Sequence, residues 1–398
     1  MSLLDAPPAP HYFSPEHEQF RRTMRDWVAR EISPHVNHWD EAETFPRALY
    51  RQAAEIGLLG LGYPEELGGT PADVFYFLIA SEELARAGSG GLQASLLSHS
   101  IGLPPVLAHG SEALKRRVIP PVLAGAKIAA LAVTEPSGGS DVAALKTTAI
   151  RDGDHYVVDG EKVFITSGMR ADFITCAVRT DPASKGPNGI SALLVEGDAP
   201  GLTRTPLKKM GWWASDTAHL RFERCRVPVE NLIGEEHRGF KTFMTNFNAE
   251  RLGMAALALG YAEVCLDEAL DWARQRMTFG APLSERQVIR HKLVDMLRQI
   301  DAARCMVYEL AWRTERSDHG LEHGRDDPAR LVARIALAKV QATQAMQFCA
   351  DAAVQILGGM GFMRGTKSER IYREVKVMMI GGGSEEIMKD LAARQLGI

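Results

Sequence analysis

Two switches in apolar periodicity along this 398-residue chain predict an α+β protein built from three consecutive parts. Apolar side chains recur every three to four positions at first, then every two from about Lys127, then every three to four again from about Gly239. That order places an N-terminal α-helical domain over residues 1–126, a central β domain over 127–236 and a C-terminal α-helical bundle over 237–398. The length suits more than one domain.

Ser14-Pro15-Glu16 marks the first helix, with proline in the first turn and Phe20, Met24, Trp27, Val28 and Ile32 as its apolar stripe. A second helix follows Thr44 and stops near Gly57. Pro64 and Gly68-Gly69 signal a loop, Thr70–Asp73 caps a helix running towards Gly88, and Ser111-Glu112 opens another ending near Gly125. Past Lys127, Ala149–Arg151, His155–Val158 and Lys162–Ile165 read as short strands separated by the hairpin dipeptides Asp152-Gly153 and Asp159-Gly160. Phe173–Arg179, Ile190–Val195 and Leu220–Phe222 continue the strand pattern to about Asn231–Gly234.

The bundle opens with Gly239–Gly280, read as one long helix with Phe240, Phe243, Phe247, Met254, Ala258, Tyr261, Cys265 and Trp272 on a buried stripe. Glu250 falls into that stripe. A carboxylate among apolar side chains has its pKa raised unless it is compensated, and a carboxylate poised near neutrality suits a general base. A buried structural pair with Arg251 or a distant arginine explains the same placement. Helices over Ser284–Arg316 and Pro328–Leu357, and two shorter ones after Gly358-Gly359, complete an antiparallel bundle.

Composition narrows the function. A formal net charge of −4, with 46 Lys and Arg against 50 Asp and Glu, gives no electrostatic reason to expect nucleic acid as a partner. No apolar run approaches the ~20 residues of a membrane span. The N-terminal residues show neither an export nor an import pattern, and the five scattered cysteines suit a reduced cytoplasm rather than disulfides or zinc. His319 and His323 have metal-ligand spacing but read as part of a solvated loop, so no metal is expected.

Two stretches could carry chemistry. Leu131–Asp141 runs from a strand into Thr134, Gly138, Gly139 and Ser140, which lets backbone N–H groups approach an anion or a cofactor edge, although a polar turn reads the same. In Lys162–Asp172, Phe164 at a strand end beside Thr166 could stack on a planar ring, although a core Phe and a turn Thr fit as well.

Together with Lys208–Gly234 (KKMGWWASDTAHLRFERCRVPVENLIG), RMTFGAPLSERQ at Arg276–Gln287, QILGGMGF at Gln355–Phe362 and GGGSEEI at Gly381–Ile387, these segments resemble the acyl-CoA dehydrogenase family over nearly the whole chain. The resemblance implies an α domain, a central β barrel and an α bundle, FAD as cofactor and an acyl-CoA as substrate. It further implies an electron-transferring flavoprotein as acceptor, a homotetramer arranged as a dimer of dimers, and a role in fatty acid β-oxidation. By position, Leu131, Val133, Thr134, Gly139 and Ser140 match the segment lining the flavin, with Ser140 also near the thioester. Phe164, Ile165 and Thr166 match residues against the isoalloxazine. Arg276, Phe279, Gln287, Gln355, Gly358 and Gly359 match the grip on the adenine and pyrophosphate of a neighbouring subunit's flavin, and Ser384 and Glu386 open a helix facing the cofactor.

Most of the family carries its catalytic glutamate at the position of Gly382, so the usual base is missing. In the isovaleryl-CoA and long-chain branches it comes instead from the first long helix of the C-terminal domain, directly before an arginine, where Glu250-Arg251 stands. The implied reaction is α,β-dehydrogenation to the trans-2-enoyl-CoA, with Glu250 removing the α-proton while a hydride passes to flavin N5. Gly382 and Gly383 are expected at the thioester, Asn248 at the CoA moiety, and Arg251 orienting Glu250 or the substrate. The competing readings are an acyl-CoA oxidase or nitroalkane-oxidase-like flavoenzyme, and a non-catalytic FAD-containing relative that binds DNA or a partner.

Overall fold

Ser14 caps the first helix as its sequence predicts: its hydroxyl accepts the His17 N–H at 3.3 Å while the His17 ring accepts the Ser14 N–H at 3.0 Å. A computed structural model describes residues 12–244, 247–318 and 327–398. Pro15–Trp27 continues through a wider turn over Val28–Ile32, and Met24, Trp27, Val28 and Ile32 are all buried. Asp73 and Ser111 cap Val74–Ala85 and Glu112–Leu123. The short helices Val36–Glu41, Gly90–Leu96, His99–Gly102 and Pro104–His109 lie between them, unsignalled by periodicity because each is at most two turns long.

The central strands are β1 (Ala129–Ala132), β2 (Thr148–Asp152), β3 (His155–Ile165), β4 (Phe173–Arg179), β5 (Ile190–Glu196), β6 (Leu202–Pro206), β7 (Ala218–Pro228) and β8 (Leu232–Ile233). They pair in the order β6-β7-β3-β2-β4-β5-β8, with β1 parallel to β4. The helix–sheet–helix order is the predicted one, but the sheet does not close into a barrel: β6 and β8 remain as its two ends. The Asp159-Gly160 hairpin is also corrected. Those residues lie inside one eleven-residue strand, at a register shift between Val158 and Gly160 against β7. Gly160 has φ +139°, and a Cβ there would sit 2.7 Å from the Thr147 Cα, so the dipeptide marks a bulge where two backbones touch.

In the opening stretch of the bundle Gly239–Met244 and Phe247–Gln275 are helical, and residues 245 and 246 lie outside the described set. The longer helix stops one residue short of Arg276, which leads instead into a small hairpin of Met277–Thr278 and Ala281–Pro282. Phe247–Gln275 has no single buried stripe either, since every residue from Ala255 to Ala262 is buried. It runs through the middle of the molecule, packed by Val74–Ala85 from the N-terminal region and by Gln287–Asp318, Pro328–Leu357 and Lys367–Ile380 from the bundle. Leu252, Leu259 and Leu266 are fully enclosed there, each contributing about 2 kcal/mol of apolar burial.

Pro328–Leu357 matches its predicted bounds, Gly358 ends it at φ +61°, and Lys367–Ile380 and Glu385–Leu396 follow. His319 and His323 lie outside the described residues. Among the described residues no His, Cys, Asp and Glu cluster could hold a metal, and no helix is long and apolar enough to cross a membrane.

Candidate active site

Glu250 stands in the first turn of Phe247–Gln275. Part of the residue reaches solvent, but burial of its carboxyl pushes its pKa up to about 7, against the opposing pull of Arg251 and Lys339. It makes no salt bridge among the described residues. Arg251 donates through Nε to the Gly382 carbonyl at 3.3 Å and through Nη1 to Asn248 Oδ1 at 3.2 Å, which ties the start of the helix to the glycine run 381–383. Burial lowers the Arg251 pKa, and the guanidinium lies 5.6 Å from the Phe247 ring centroid.

The glycine run is shaped by its own geometry. Gly382 has φ +66°, and a Cβ on it would meet the Met254 sulfur at 2.6 Å. Ser384 then caps Glu385–Leu396 by accepting the Ile387 N–H. Glu386, in that first turn, is exposed with its pKa lowered by its own backbone N–H and by the Ser384 hydroxyl. The N–H groups of Gly382 and Gly383 have no acceptor among the described residues. Lys339 reaches the run from Pro328–Leu357 and donates to the Met379 and Gly383 carbonyls at 3.0 and 2.8 Å.

A second group forms where β1 and β3 end side by side. The Val163 N–H donates to the Thr134 carbonyl at 2.9 Å. Below it, the fully buried Lys162 reaches the Val133 carbonyl at 3.0 Å and Glu135 Oε1 at 2.8 Å. Glu135 in turn accepts the Lys146 and Thr147 N–H groups, fixing the base of the loop that carries Gly139 and Ser140. Leu131 and Val133 are partly buried against the neighbouring core, and Ser140 is exposed. Ile165 is buried and paired with Ala218, whereas Phe164, at φ +63°, presents a ring 68% exposed. Thr166 is half-buried beside it. Asp216 accepts the Met169 and Arg170 N–H groups, both at 3.1 Å, and so holds the turn after Thr166.

The third group surrounds a cavity of roughly 580 Å³ lined by Trp272, Arg276, Thr278, Leu283, Gly358, Gly359, Met360 and Met363, among others. Arg276 is exposed, has no ion pair among the described residues and lies 5.8 Å from the Trp272 ring centroid. Arg286 donates to the Thr278 carbonyl at 2.5 Å and the Phe279 carbonyl at 3.2 Å, which holds the hairpin turn so that Phe279 projects wholly into solvent. Gln287 begins the next helix, and Gln355 is exposed one turn before Gly358.

The predicted site residues therefore fall into three groups, and no hydrogen bond or ion pair among the described residues joins one group to another. Sequence reasoning missed Lys339, the Lys162–Glu135 pair and Asp216. Lys339 did leave a signal, for it and Arg334 are the only charges between Leu331 and Cys349.

Comparison with known proteins gives one family over all three regions. Models of the acyl-CoA dehydrogenase N-terminal, middle and C-terminal domains match residues 14–126, 130–225 and 237–397. The mitochondrial short-chain specific acyl-CoA dehydrogenase of Mus musculus is 38% identical over 381 residues, covering 96% of this chain and 90% of the relative. The crystal structure of acyl-CoA dehydrogenase from Geobacillus kaustophilus superposes with a TM-score of 0.91 at 36% identity, covering 98% of this chain and 100% of that one. An acyl-CoA dehydrogenase of Bacillus anthracis, solved in complex with FAD, gives 0.89 at 31% identity, covering 98% of this chain and 69% of that one.

Proposed function

This chain belongs to the acyl-CoA dehydrogenase family of FAD-dependent oxidoreductases, and on that premise we propose that it desaturates a saturated acyl-CoA with Glu250 as the base. The observation that carries the assignment is a carboxyl raised to about 7 by burial and without an ion partner among the described residues, next to Arg251, which holds a glycine run whose Gly382 and Gly383 N–H groups have no acceptor among those residues. A carboxyl with that pKa is half ionised at neutral pH, which is where a general base works best. Glu250 takes the α-proton as the hydride leaves the β-carbon, and the product is the trans-2-enoyl thioester.

Negative charge gathers on the thioester oxygen as the α-proton leaves. The Gly382 N–H, with its neighbour at Gly383, is the donor for that oxygen, an arrangement that lowers the barrier most when the donors are fixed beforehand. Arg251 fixes the Gly383 N–H directly by holding the Gly382 carbonyl of the same peptide, and Asn248, bonded to Arg251, lies on the path of the CoA moiety. Ser140, exposed in the loop between β1 and β2, reaches the thioester from the other side.

The residues present fit a flavin dinucleotide. An exposed aromatic face at Phe164, beside Thr166 and the Val133-Thr134 backbone, suits a flat ring with polar edges. An arginine without an ion pair among the described residues, in the lining of a mostly apolar cavity where Gly358 and Gly359 leave backbone open, suits a pyrophosphate with adenine beside it. FAD, when bound, supplies the acceptor for the hydride.

The Arg276 cavity has the exposed Met360 and Met363 in its lining, and Phe279 and Phe362, next in the chain to lining segments, are exposed as well, which supports completion by a second copy in a homotetramer. Ser384 and Glu386 face the cofactor from their helix start, and an electron-transferring flavoprotein removes the electrons. The test is anaerobic flavin bleaching by a panel of straight and branched acyl-CoA thioesters, on wild type and Glu250→Gln. A variant that bleaches at the wild-type rate with the best substrate refutes the base.

A further inference from the structure

Lys339 is fully buried in the middle of Pro328–Leu357, with Ala336, Ala342, Thr343 and Met346 enclosed around it. Sinking an ammonium into such surroundings is costly, and a protein normally compensates it with a carboxylate or gives up the charge. No carboxylate lies within 4 Å of Lys339 among the described residues. Its Nζ is met instead by two backbone carbonyls, Met379 at 3.0 Å and Gly383 at 2.8 Å. The first lies two residues before the glycine run and the second on its last residue. Arg251 takes the carbonyl between them, that of Gly382.

Two cations thus collect three carbonyls from one turn, and this has a directional consequence. In a trans peptide the C=O and N–H point opposite ways, so fastening the Gly382 carbonyl to Arg251 turns the Gly383 N–H away from Arg251. Fastening the Gly383 carbonyl to Lys339 does the same for the Ser384 N–H. The same ammonium acts on Glu250, which it favours as a carboxylate.

We propose that Lys339 is a positioning residue for the reaction: it fixes the Met379–Gly383 turn through two carbonyls and, with Arg251, supplies the positive charge that keeps Glu250 available as a base. The inference rests on Glu250 being that base. The charged groups acting on Lys339 are Arg251 and Glu250 from the central helix and Glu385 from the last helix. Burial brings its own pKa down to about 8, so it remains protonated at neutral pH.

The test uses the full-length, FAD-loaded protein as wild type, Lys339→Met, Lys339→Gln, Lys339→Arg and Glu250→Gln. The rate of anaerobic flavin bleaching by the fastest acyl-CoA of the panel is followed from pH 5 to 9, together with melting temperature and FAD content. The expected result is an acid limb moved up by about one pH unit in the neutral variants, a roughly tenfold loss on that limb that is recovered towards pH 9. Lys339→Arg keeps the wild-type limb.

A limb lost in Glu250→Gln but unmoved in Lys339→Met and Lys339→Gln overturns the proposal alone. A limb that persists in Glu250→Gln overturns the base assignment and this proposal with it. Neutral variants that only melt earlier, or that both fail to retain FAD, mark Lys339 as structural and overturn it too. A limb displaced equally in Lys339→Arg removes the role of charge.

Discussion

Glu374 accepts the backbone N–H of Trp212 at 3.2 Å, while its second carboxylate oxygen accepts that of Gly90 at 2.8 Å. One side chain of the bundle therefore holds a loop of the β region and a helix start of the N-terminal region. Neighbouring contacts reinforce the junction, since the Trp213 ring has Arg373 at 3.8 Å and Arg364 at 4.4 Å from its centroid. Removing the acceptor leaves two N–H groups without partners in a fully buried position. Glu374→Ala should lose on the order of 2–4 kcal/mol of unfolding free energy, read from urea denaturation. A loss below about 0.5 kcal/mol, the range of ordinary surface substitutions, would show that the junction does not depend on it.

For Glu250 the pH dependence has two signs, one for rate and one for stability. Only the ionised carboxyl accepts a proton, so bleaching by wild type should fall tenfold per pH unit below about 7. Glu250→Gln should lose that limb and at least about 10²-fold in rate. Stability runs the other way. The folded-state pKa is raised above the ordinary value of 4.5, so its contribution is complete below 4.5 and is lost as pH rises through 7. The glutamine variant, uncharged throughout, should gain on wild type by on the order of 2–3 kcal/mol between pH 5 and 8. Thermal melts of the pair at both pH values read this directly, and a constant difference would mean an unremarkable carboxylate.

Gly382 is tested by adding one methyl group. At φ +66° an alanine costs about 1–2 kcal/mol, and its Cβ would sit 2.6 Å from the Met254 sulfur. The sulfur is near the end of a flexible chain and can move, but the turn that aims the N–H groups is pushed as well. Gly382→Ala should slow bleaching by about tenfold, a fraction of what deleting an oxyanion donor costs. Met254→Ala in the same chain should return part of that loss. Strictly additive effects in the double-mutant cycle would show that the contact with Met254 does not transmit the change.

How far the sequence foretold this arrangement differs from element to element for physical reasons. Pro328–Leu357 has a proline at its first turn and a glycine pair after its end, and its limits were legible to the residue. Leu202–Pro206 was not, because an edge strand of Leu-Thr-Arg-Thr-Pro buries too little to alternate. Asp159-Gly160 misled because the dipeptide that turns a hairpin also makes a bulge, and only the close approach of Thr147 separates the two. Glu250 was visible as a charge in an apolar helix, even though that helix is buried all round rather than along a stripe. Its partners were harder to see. Arg251, Lys339 and Gly382 meet across elements 40 to 131 residues apart, held by side chains on backbone carbonyls, and such bonds leave no spacing to read.

Arg276 is the remaining residue whose role can be measured without turnover. Its guanidinium has no ion pair among the described residues and stands beside the two glycines that open the cavity. If it holds pyrophosphate oxygens, its loss removes charge-assisted hydrogen bonds worth about 1.5–3 kcal/mol each. Arg276→Ala should then raise the Kd for FAD roughly 10- to 100-fold, measured by titrating apoprotein with FAD. Binding should weaken rather than vanish, because Trp272, Leu283, Met360 and Met363 still offer an apolar wall. Arg276→Lys should recover only part of the affinity, since an ammonium supplies the charge without the two-pronged geometry. A Kd unchanged in Arg276→Ala would move the pyrophosphate away from this cavity, and with it the argument that a second copy of the chain completes the site there.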